Sequence, residues 1–366
     1  MKGRLKWKEF SESDKSAVEG AELGRLEPTR RVLFDTPVYA LSYSRAHPWL
    51  LAVAEEQGDL HIVDTGAETQ EHNAAQLAKM EGMGYYHGLE PASFEKRRNP
   101  LLLPVRSAIA HLNSIFDLIW SDADSRLVTA SSDRTCSVFD AERAEAFFAY
   151  RQHSASVKCV RELAPKVYAS GARDGGLHVW DSRLRAGRAQ AQVLQRGSER
   201  LGQSVTSVGA LKEHYVLSAQ DQSNLLKIWD TRKRGAPAEL QNPAQRPRRG
   251  HTCVALSEQF LALSGIDHAI QVFRTSQLGR PALSLRGHKA SYFVKCAISP
   301  SQRFLCSGST SAALCLWSLR TGTLLHALSG AHHQELNCAD WSRSPTRFLA
   351  TSSDDCTVAI WGDRDD

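Results

Sequence analysis

Val167–Asp181 reads VYASGARDGGLHVWD, and this stretch decides the fold. A short apolar run ends in a small polar residue. A tight turn holding Asp174 follows, and a second apolar run ends in Trp180-Asp181. Two strands joined by a polar turn give that pattern. It returns as LVTASSDRTCSVFD at Leu127–Asp140 and as LATSSDDCTVAIW at Leu349–Trp361. Weaker copies are VLSAQDQSNLLKIWD at Val216–Asp230, LALSGIDHAIQVF at Leu261–Phe273 and LCSGSTSAALCLW at Leu305–Trp317. A degenerate first copy, LAVAEEQGDLHIVD, occupies Leu51–Asp64.

The aromatic anchors set the period. Phe139 to Trp180 is 41 residues, Trp180 to Trp229 is 49, and Trp229 to Phe273, Phe273 to Trp317 and Trp317 to Trp361 are 44 each. A period of about 40–45 with a Trp-Asp signature is that of a WD40 β-propeller, and seven copies predict an all-β, seven-bladed ring. One four-stranded blade cannot bury both faces, so blades must stack around an axis. The first interval, Val63 to Phe139, is 76 residues, which places an inserted loop at 66–104. After Trp361 only GDRDD remains, too little for an outer strand. The apolar run RRVLFDT at Arg30–Thr36 is therefore expected to supply it and close the ring, which removes an exposed sheet edge. Residues 1–29 are polar and read as a flexible tail, and 30–366 as the propeller.

The chain has 366 residues, 42% hydrophobic, 23% charged and a net charge of +5, an ordinary globular composition. No apolar run reaches membrane-spanning length, and the N-terminus lacks the apolar core of a secretory signal. The 8 cysteines are irregularly spaced, without a C-x-x-C pair. Cys159, Cys296, Cys306, Cys315 and Cys338 sit in strand-like runs and read as buried reduced thiols rather than a zinc site. Basic clusters fall at Lys96–Arg98, Arg232–Arg234 and Arg246–Arg249. The last two have the form of a split nuclear import signal, or are solvated loop charge between blades.

Each repeat also carries a polar fingerprint. His111 precedes Phe139 by 28, His153 precedes Trp180 by 27, and His288 precedes Trp317 by 29. Thr129, Ser170, Ser307 and Thr351 lie ten before the aromatic, and Asp133, Asp174, Asp267 and Asp355 six before it. These spacings suit an internal chain in which Asp caps a turn, His bridges it to the hydroxyl, and the hydroxyl meets the indole N–H of Trp180, Trp229, Trp317 or Trp361. A Ser-His-Asp set repeated once per blade is structural, whereas a catalytic triad is a single constellation. With no metal-ligand cluster and no phosphate loop, neither a cofactor nor an enzymatic activity is expected. The modest charge excess and the absence of a nucleic-acid motif argue against direct DNA reading.

Strands in a blade run a to d from the axis outward, and the aromatic ends strand c. The residue three later lies in the c–d turn, on the bottom face. Two consecutive blades read Trp180-Asp181-Ser182-Arg183 and Trp229-Asp230-Thr231-Arg232. Arg320 and Arg364 keep the Arg after Trp317 and Trp361 without the Asp. Arginine pairs in a planar fork and is enriched at interface hot spots.

These boxes resemble the docking motif of the WD40 substrate receptors of cullin-4 ubiquitin ligases. Further stretches are similar to the denticleless family: His111–Asp140 with NSIFDLIW, SGARDGGLHVWDSR at Ser170–Arg183, Ser204–Lys233, and Gly287–Trp317 with SYFVK. The first repeat, RVLFDTPVYALSYS onward, fits as well. The resemblance implies a nuclear receptor that presents replication or cell-cycle proteins for ubiquitination. Such targets carry a degron displayed on the DNA sliding clamp. It also implies that Arg183 and Arg232, with Asp181 and Asp230, dock the ligase adaptor, a multi-propeller protein. Animal members carry a long C-terminal extension with a clamp-binding segment, which this sequence does not include, and the 66–104 insertion is outside the family pattern. Substrate would meet the opposite, top face. Candidates there are Asn113, Phe116, Arg134, Arg173, Lys289 and Lys295, a basic rim suited to an acidic or clamp-bound partner, although Phe116 also reads as core. The insertion motif MGYYHG at Met83–Gly88 reads as a surface excursion or as a loop over one face. The competing reading is a scaffold outside any ligase, for example a chromatin- or histone-binding propeller, in which both arginines are solvated turn residues.

Overall fold

Alternating apolar residues along each short run put one side chain in two against the neighbouring sheet, and the turn residues between runs reverse the chain. The computed structural model describes residues 26–66, 102–184, 192–195, 204–212, 214–233, 236–241, 250–291, 293–343 and 349–363. Within them all regular structure is β, in seven four-stranded antiparallel sheets. The inner strands of successive blades begin at Val38, Ile115, Val157, Val205, His251, Cys296 and Leu336. Each packs on the inner strands of its two neighbours, and the seventh returns to the first, closing a ring. Seven WD40 blades around one axis are thus the architecture, as the repeat implied. No helix among the described residues is long and apolar enough to cross a membrane.

The core lies between blades rather than within them. Ala52, Leu60 and Ile62 of blade one pack with Ile115, Leu118, Trp120 and Phe139 of blade two. Val128 and Val138 of blade two meet Val160, Tyr168 and Trp180 of blade three. At the joint between blades one and two, Gly58 has φ 98°, and a Cβ there would lie 2.3 Å from the His111 carbonyl oxygen. Only glycine combines that backbone with that approach. All eight cysteines are free thiols, and seven of them are buried.

The closing strand differs from its expected extent. Leu26–Leu33, not Arg30–Thr36, pairs antiparallel with Thr357–Asp363 as the outermost strand of blade seven. Residues 26–29, expected in the tail, are therefore part of the sheet. Pro28 faces Trp361 with a register shift just after it, tolerable because this is an edge strand. Phe34 and Thr36 instead turn inward, while Asp35 stays exposed. Phe34 is buried, and its N–H donates to the Cys356 carbonyl at 2.9 Å. The Thr36 N–H and hydroxyl both donate to Glu55 Oε2 at 2.9 and 2.7 Å. The expected tail at 1–25 lies outside the described residues.

The insertion joins strands c and d of blade one, Asp59–Asp64 and Pro104–Ile109, so it opens on the bottom face. Leu102 is buried with Val32 and Phe34, and its N–H donates to the Arg31 carbonyl at 2.8 Å. MGYYHG, Lys96–Arg98, Arg246–Arg249 and Arg364 lie outside the described residues.

Candidate functional site

On the bottom face, strand Leu177–Asp181 ends at Asp181 and strand Ser223–Asp230 ends at Asp230. The two c–d turns have the same construction. In the first, Asp181 Oδ1 accepts the Arg183 N–H at 2.9 Å and its carboxylate takes the guanidinium in a fork, with Nε 2.9 Å from Oδ1 and Nη2 2.5 Å from Oδ2. In the second, Asp230 Oδ1 accepts the Arg232 N–H at 3.0 Å, with Nε and Nη2 at 2.9 and 2.8 Å from the two oxygens. Arg232 Nη2 also reaches the Tyr215 hydroxyl at 3.4 Å. The hydrogen-bonded guanidinium holds each carboxyl below the usual carboxylate range. Even so, the Arg183 and Arg232 side chains are 62% and 54% exposed. The Asp thus fixes the direction of an otherwise floppy arginine while leaving it available. In blade six the position two before Arg320 holds Ser318 instead of Asp. The Ser318 hydroxyl accepts the Arg320 N–H at 3.2 Å.

The polar network forms in some blades and not in others. In blade seven Trp361 Nε1 donates to Thr351 Oγ1 at 2.8 Å, and His332 Nε2 meets the same oxygen at 2.7 Å. His332 Nδ1 lies 2.9 Å from Thr357 Oγ1 and 3.4 Å from Asp355 Oδ1. Burial raises the Asp355 carboxyl, but hydrogen bonds from His332 and Thr357 outweigh it and leave it at about 2. His332 was absent from the expected set, although it precedes Trp361 by the same 29 residues that separate His288 from Trp317. In blade three Trp180 Nε1 donates to Ser170 Oγ at 3.1 Å and His153 Nε2 meets that oxygen at 2.7 Å. His153 Nδ1 is 3.8 Å from Asp174, too far for a hydrogen bond. In blade two His111 bridges Thr129 and Asp133 at 2.7 and 2.9 Å beside Phe139. In blade four Trp229 Nε1 donates to Ser218 Oγ at 3.0 Å, eleven residues back rather than ten.

Blade six corrects the expectation. Trp317 Nε1 donates to the Arg286 carbonyl at 3.0 Å, and Ser307 Oγ donates to the Gly308 carbonyl at 3.1 Å. Neither ring nitrogen of His288 has a hydrogen-bond partner among the described residues, and the imidazole packs edge-on against Trp317 at 5.6 Å. The position six before Trp317 is Ser311, so no carboxylate orients this histidine. Blade five ends in Phe273, which has no indole N–H, and Ser264 Oγ has no partner among the described residues.

Burial pulls the His288 imidazole down to about 4, with His268 adding to it. Burial, then the stacked His153 at 4.2 Å, does the same to His178. Both rings are neutral when folded and regain ordinary basicity when unfolded. Their stabilisation is complete above pH ~6.5 and is lost as pH falls through 4, up to roughly 3 kcal/mol each. Urea midpoints recorded from pH 7 to pH 4 are therefore expected to fall steeply, and His288→Gln to flatten part of that slope. A flat profile would contradict the buried neutral rings.

On the top face the axis opens into a cavity of about 370 Å³. Phe116, Arg173 and Lys295 of the expected candidates line it, so Phe116 belongs to the cavity wall rather than to the core. Asn113, Arg134 and Lys289 are exposed in top-face turns but do not line it. Lys295 is not a free rim charge. Its Nζ lies 3.0 Å from Asp117 Oδ1 and 2.6 Å from the Phe116 carbonyl oxygen. Asp117 Oδ2 also takes Arg161 Nη1 at 2.5 Å and the Val160 N–H at 3.1 Å. A buried carboxylate needs such partners, and these span blades two, three and six. Tyr39, Lys158 and Phe293, with Ser204, Thr206, Asp221 and Thr252, complete the wall and were missed. The signal was in register: Tyr39, Phe116, Lys158, Thr206 and Thr252 each follow the first residue of an inner strand. Among the described residues no group of His, Cys, Asp and Glu is placed to hold a metal ion.

The family model of the WD domain, G-beta repeat, matches residues 103–140, 279–318 and 322–362. Denticleless protein homolog of Gallus gallus is 28% identical over 372 residues, 89% of this chain and 47% of the relative. Denticleless protein homolog B of Xenopus laevis is 29% identical over 94% of this chain and 49% of its own length. The Homo sapiens homolog is 29% identical over 81% and 45%. The chain spans about half the length of the curated relatives it matches. With its repeats and its seven blades the chain is a WD40 propeller, and it is similar to denticleless proteins over most of its length.

Proposed function

We propose that this propeller is the substrate-recognition subunit of a cullin-4 type ubiquitin ligase. It joins the ligase adaptor to a target and does no chemistry itself; its contribution is proximity and orientation. One observation carries the reading. Two adjacent blades present the same preoriented arginine fork on one face, Asp181-Arg183 and Asp230-Arg232. The likeness of these W-D-x-R turns to adaptor-docking boxes supports it, as do the denticleless relatives. In this reading the forks meet the multi-propeller adaptor, the top face meets replication or cell-cycle proteins, clamp-bound ones among them, and the work is done in the nucleus.

The test is co-purification of adaptor and cullin from cells treated with a neddylation blocker. Arg183→Ala with Arg232→Ala is expected to remove most of the adaptor, since a central interface arginine contributes roughly 2 kcal/mol or more. Both side chains are solvent-exposed, so the fold is expected to survive. Undiminished adaptor capture by the folded double variant would sink the proposal.

A further inference from the structure

The axial cavity combines stacked aromatic rings with basic side chains. Tyr39, Phe116 and Phe293 stand with ring centroids 5.6–6.2 Å apart and planes 20–29° from parallel. They come from blades one, two and six, and together make a continuous apolar wall. Phe293 is 43% exposed, so the wall is open to an incoming group. Lys158 of blade three holds its ammonium 3.3 Å from the Phe116 ring centroid and 5.7 Å from that of Phe293. Arg173 reaches the same cavity from the b–c turn of blade three.

The charges do not balance. Lys295 is spent on Asp117, which Arg161 also holds, so this inner cluster already carries one positive charge in excess. Neither Lys158 nor Arg173 forms an ion pair with a described carboxylate. Asp221 is the only carboxylate among the residues lining the cavity. A half-buried ammonium with no carboxylate partner lowers its basicity, and Lys158 is drawn down to about 8 by burial and by Arg173 and Lys295. An arriving anion would relieve that repulsion, whereas an arriving cation would add to it. Asp221 on the same wall disfavours a dianion such as phosphate relative to a single carboxylate.

We propose that the top-face axial cavity is a subsite for an acidic peptide segment, taking one carboxylate between Lys158 and Arg173 and seating a neighbouring aromatic or aliphatic side chain on the Tyr39–Phe116–Phe293 wall. The proposal deepens the receptor reading by naming the chemistry of the segment that the top face selects. Aromatic anchoring beside a desolvated charge pair is the usual construction of an interface hot spot.

The probe is a fluorescein-labelled peptide of alternating Glu and Phe, followed by anisotropy on the full chain. Saturable binding is expected, at least tenfold tighter than for the matching Gln–Phe peptide. Lys158→Met keeps the apolar stem over Phe116 and is expected to weaken binding tenfold or more, with rescue by Lys158→Arg. Arg173→Ala and Phe293→Ala, both at exposed positions, are expected to weaken it similarly. Arg183→Ala with Arg232→Ala should leave it unchanged, because those turns lie on the other face. That variant separates the two ideas: adaptor capture can fail while peptide binding stands, and the reverse. Equal binding of the Gln–Phe peptide, tighter binding of a Lys–Phe or phosphoserine–Phe peptide, or indifference to Lys158→Met overturns the proposal.

Discussion

Removing residues 1–34 is expected to abolish the cooperative unfolding transition of the propeller. The deleted stretch contains the whole outer strand Leu26–Leu33, paired along its length with Thr357–Asp363. It also removes three buried anchors. Val32 and Phe34 pack with Val358, Ile360 and Leu51 between the last blade and the first. Leu26 packs with Leu349 and Trp361 within blade seven. At roughly 1.5–3 kcal/mol per buried side chain, the loss is about 5–9 kcal/mol before any backbone hydrogen bond is counted. That approaches the whole stability of an ordinary domain, about 5–15 kcal/mol. The truncation also leaves strand Thr357–Asp363 as an unprotected edge. Circular dichroism melts of both chains, with and without an added peptide of residues 26–34, provide the check. An unchanged melting curve for the truncated chain would mean that the ring does not depend on this closure.

Asp117→Ala is the second large effect. The carboxylate sits at the axis and ties blade two to Arg161 of blade three and Lys295 of blade six. Burial opposes its charge, but the two cations outweigh burial and keep the carboxyl below its ordinary range. Without it, two largely buried cations and the Val160 N–H lose their acceptor. Breaking a buried ion pair by deleting one partner costs about 3–5 kcal/mol. Denaturant titration is expected to show a loss of that size, partly recovered when Lys295→Met is added, because the orphaned charge then disappears. No recovery in the double variant would place the cost in packing rather than in charge.

What could be read without coordinates follows from how far apart the cooperating residues lie in sequence. The period was legible because six of the seven blades repeat an aromatic anchor in strand c, so Phe139, Trp180, Trp229, Phe273, Trp317 and Trp361 mark those blades directly. Closure was legible in kind but not in extent. Leu26-Glu27-Pro28-Thr29 is polar and carries a proline, and only its pairing with the last strand shows it to be β. The network was legible in blade two, where His111 meets Asp133, held only from His153 to Ser170 in blade three, and failed at His288, where the carboxylate position holds Ser311. The axial cavity was the least visible feature. Six blades contribute between one and three wall residues each, and tens of positions separate one blade's contribution from the next. Phe116 read equally as core, and Lys295 as a free rim charge, because burial on the axis is a property of the assembled ring. The arginine forks lay at the other extreme: residue and partner are two positions apart, so the motif itself contains the geometry.

The closing strand also fixes an order of events during synthesis. Thr29 and its partner Ile360 are 331 residues apart, so strand Leu26–Leu33 waits for its partner while the intervening blades are made. At translation rates of about 5–20 residues per second, that wait is on the order of tens of seconds. Throughout it, an apolar strand bearing Val32 and Phe34 has no native partner, and no earlier blade can substitute, since each completes its own four strands. The nascent chain is thus a row of blades whose two ends stay uncovered until the last blade meets the first. The apolar surface there, Val32 and Phe34 included, is covered only when the ring closes.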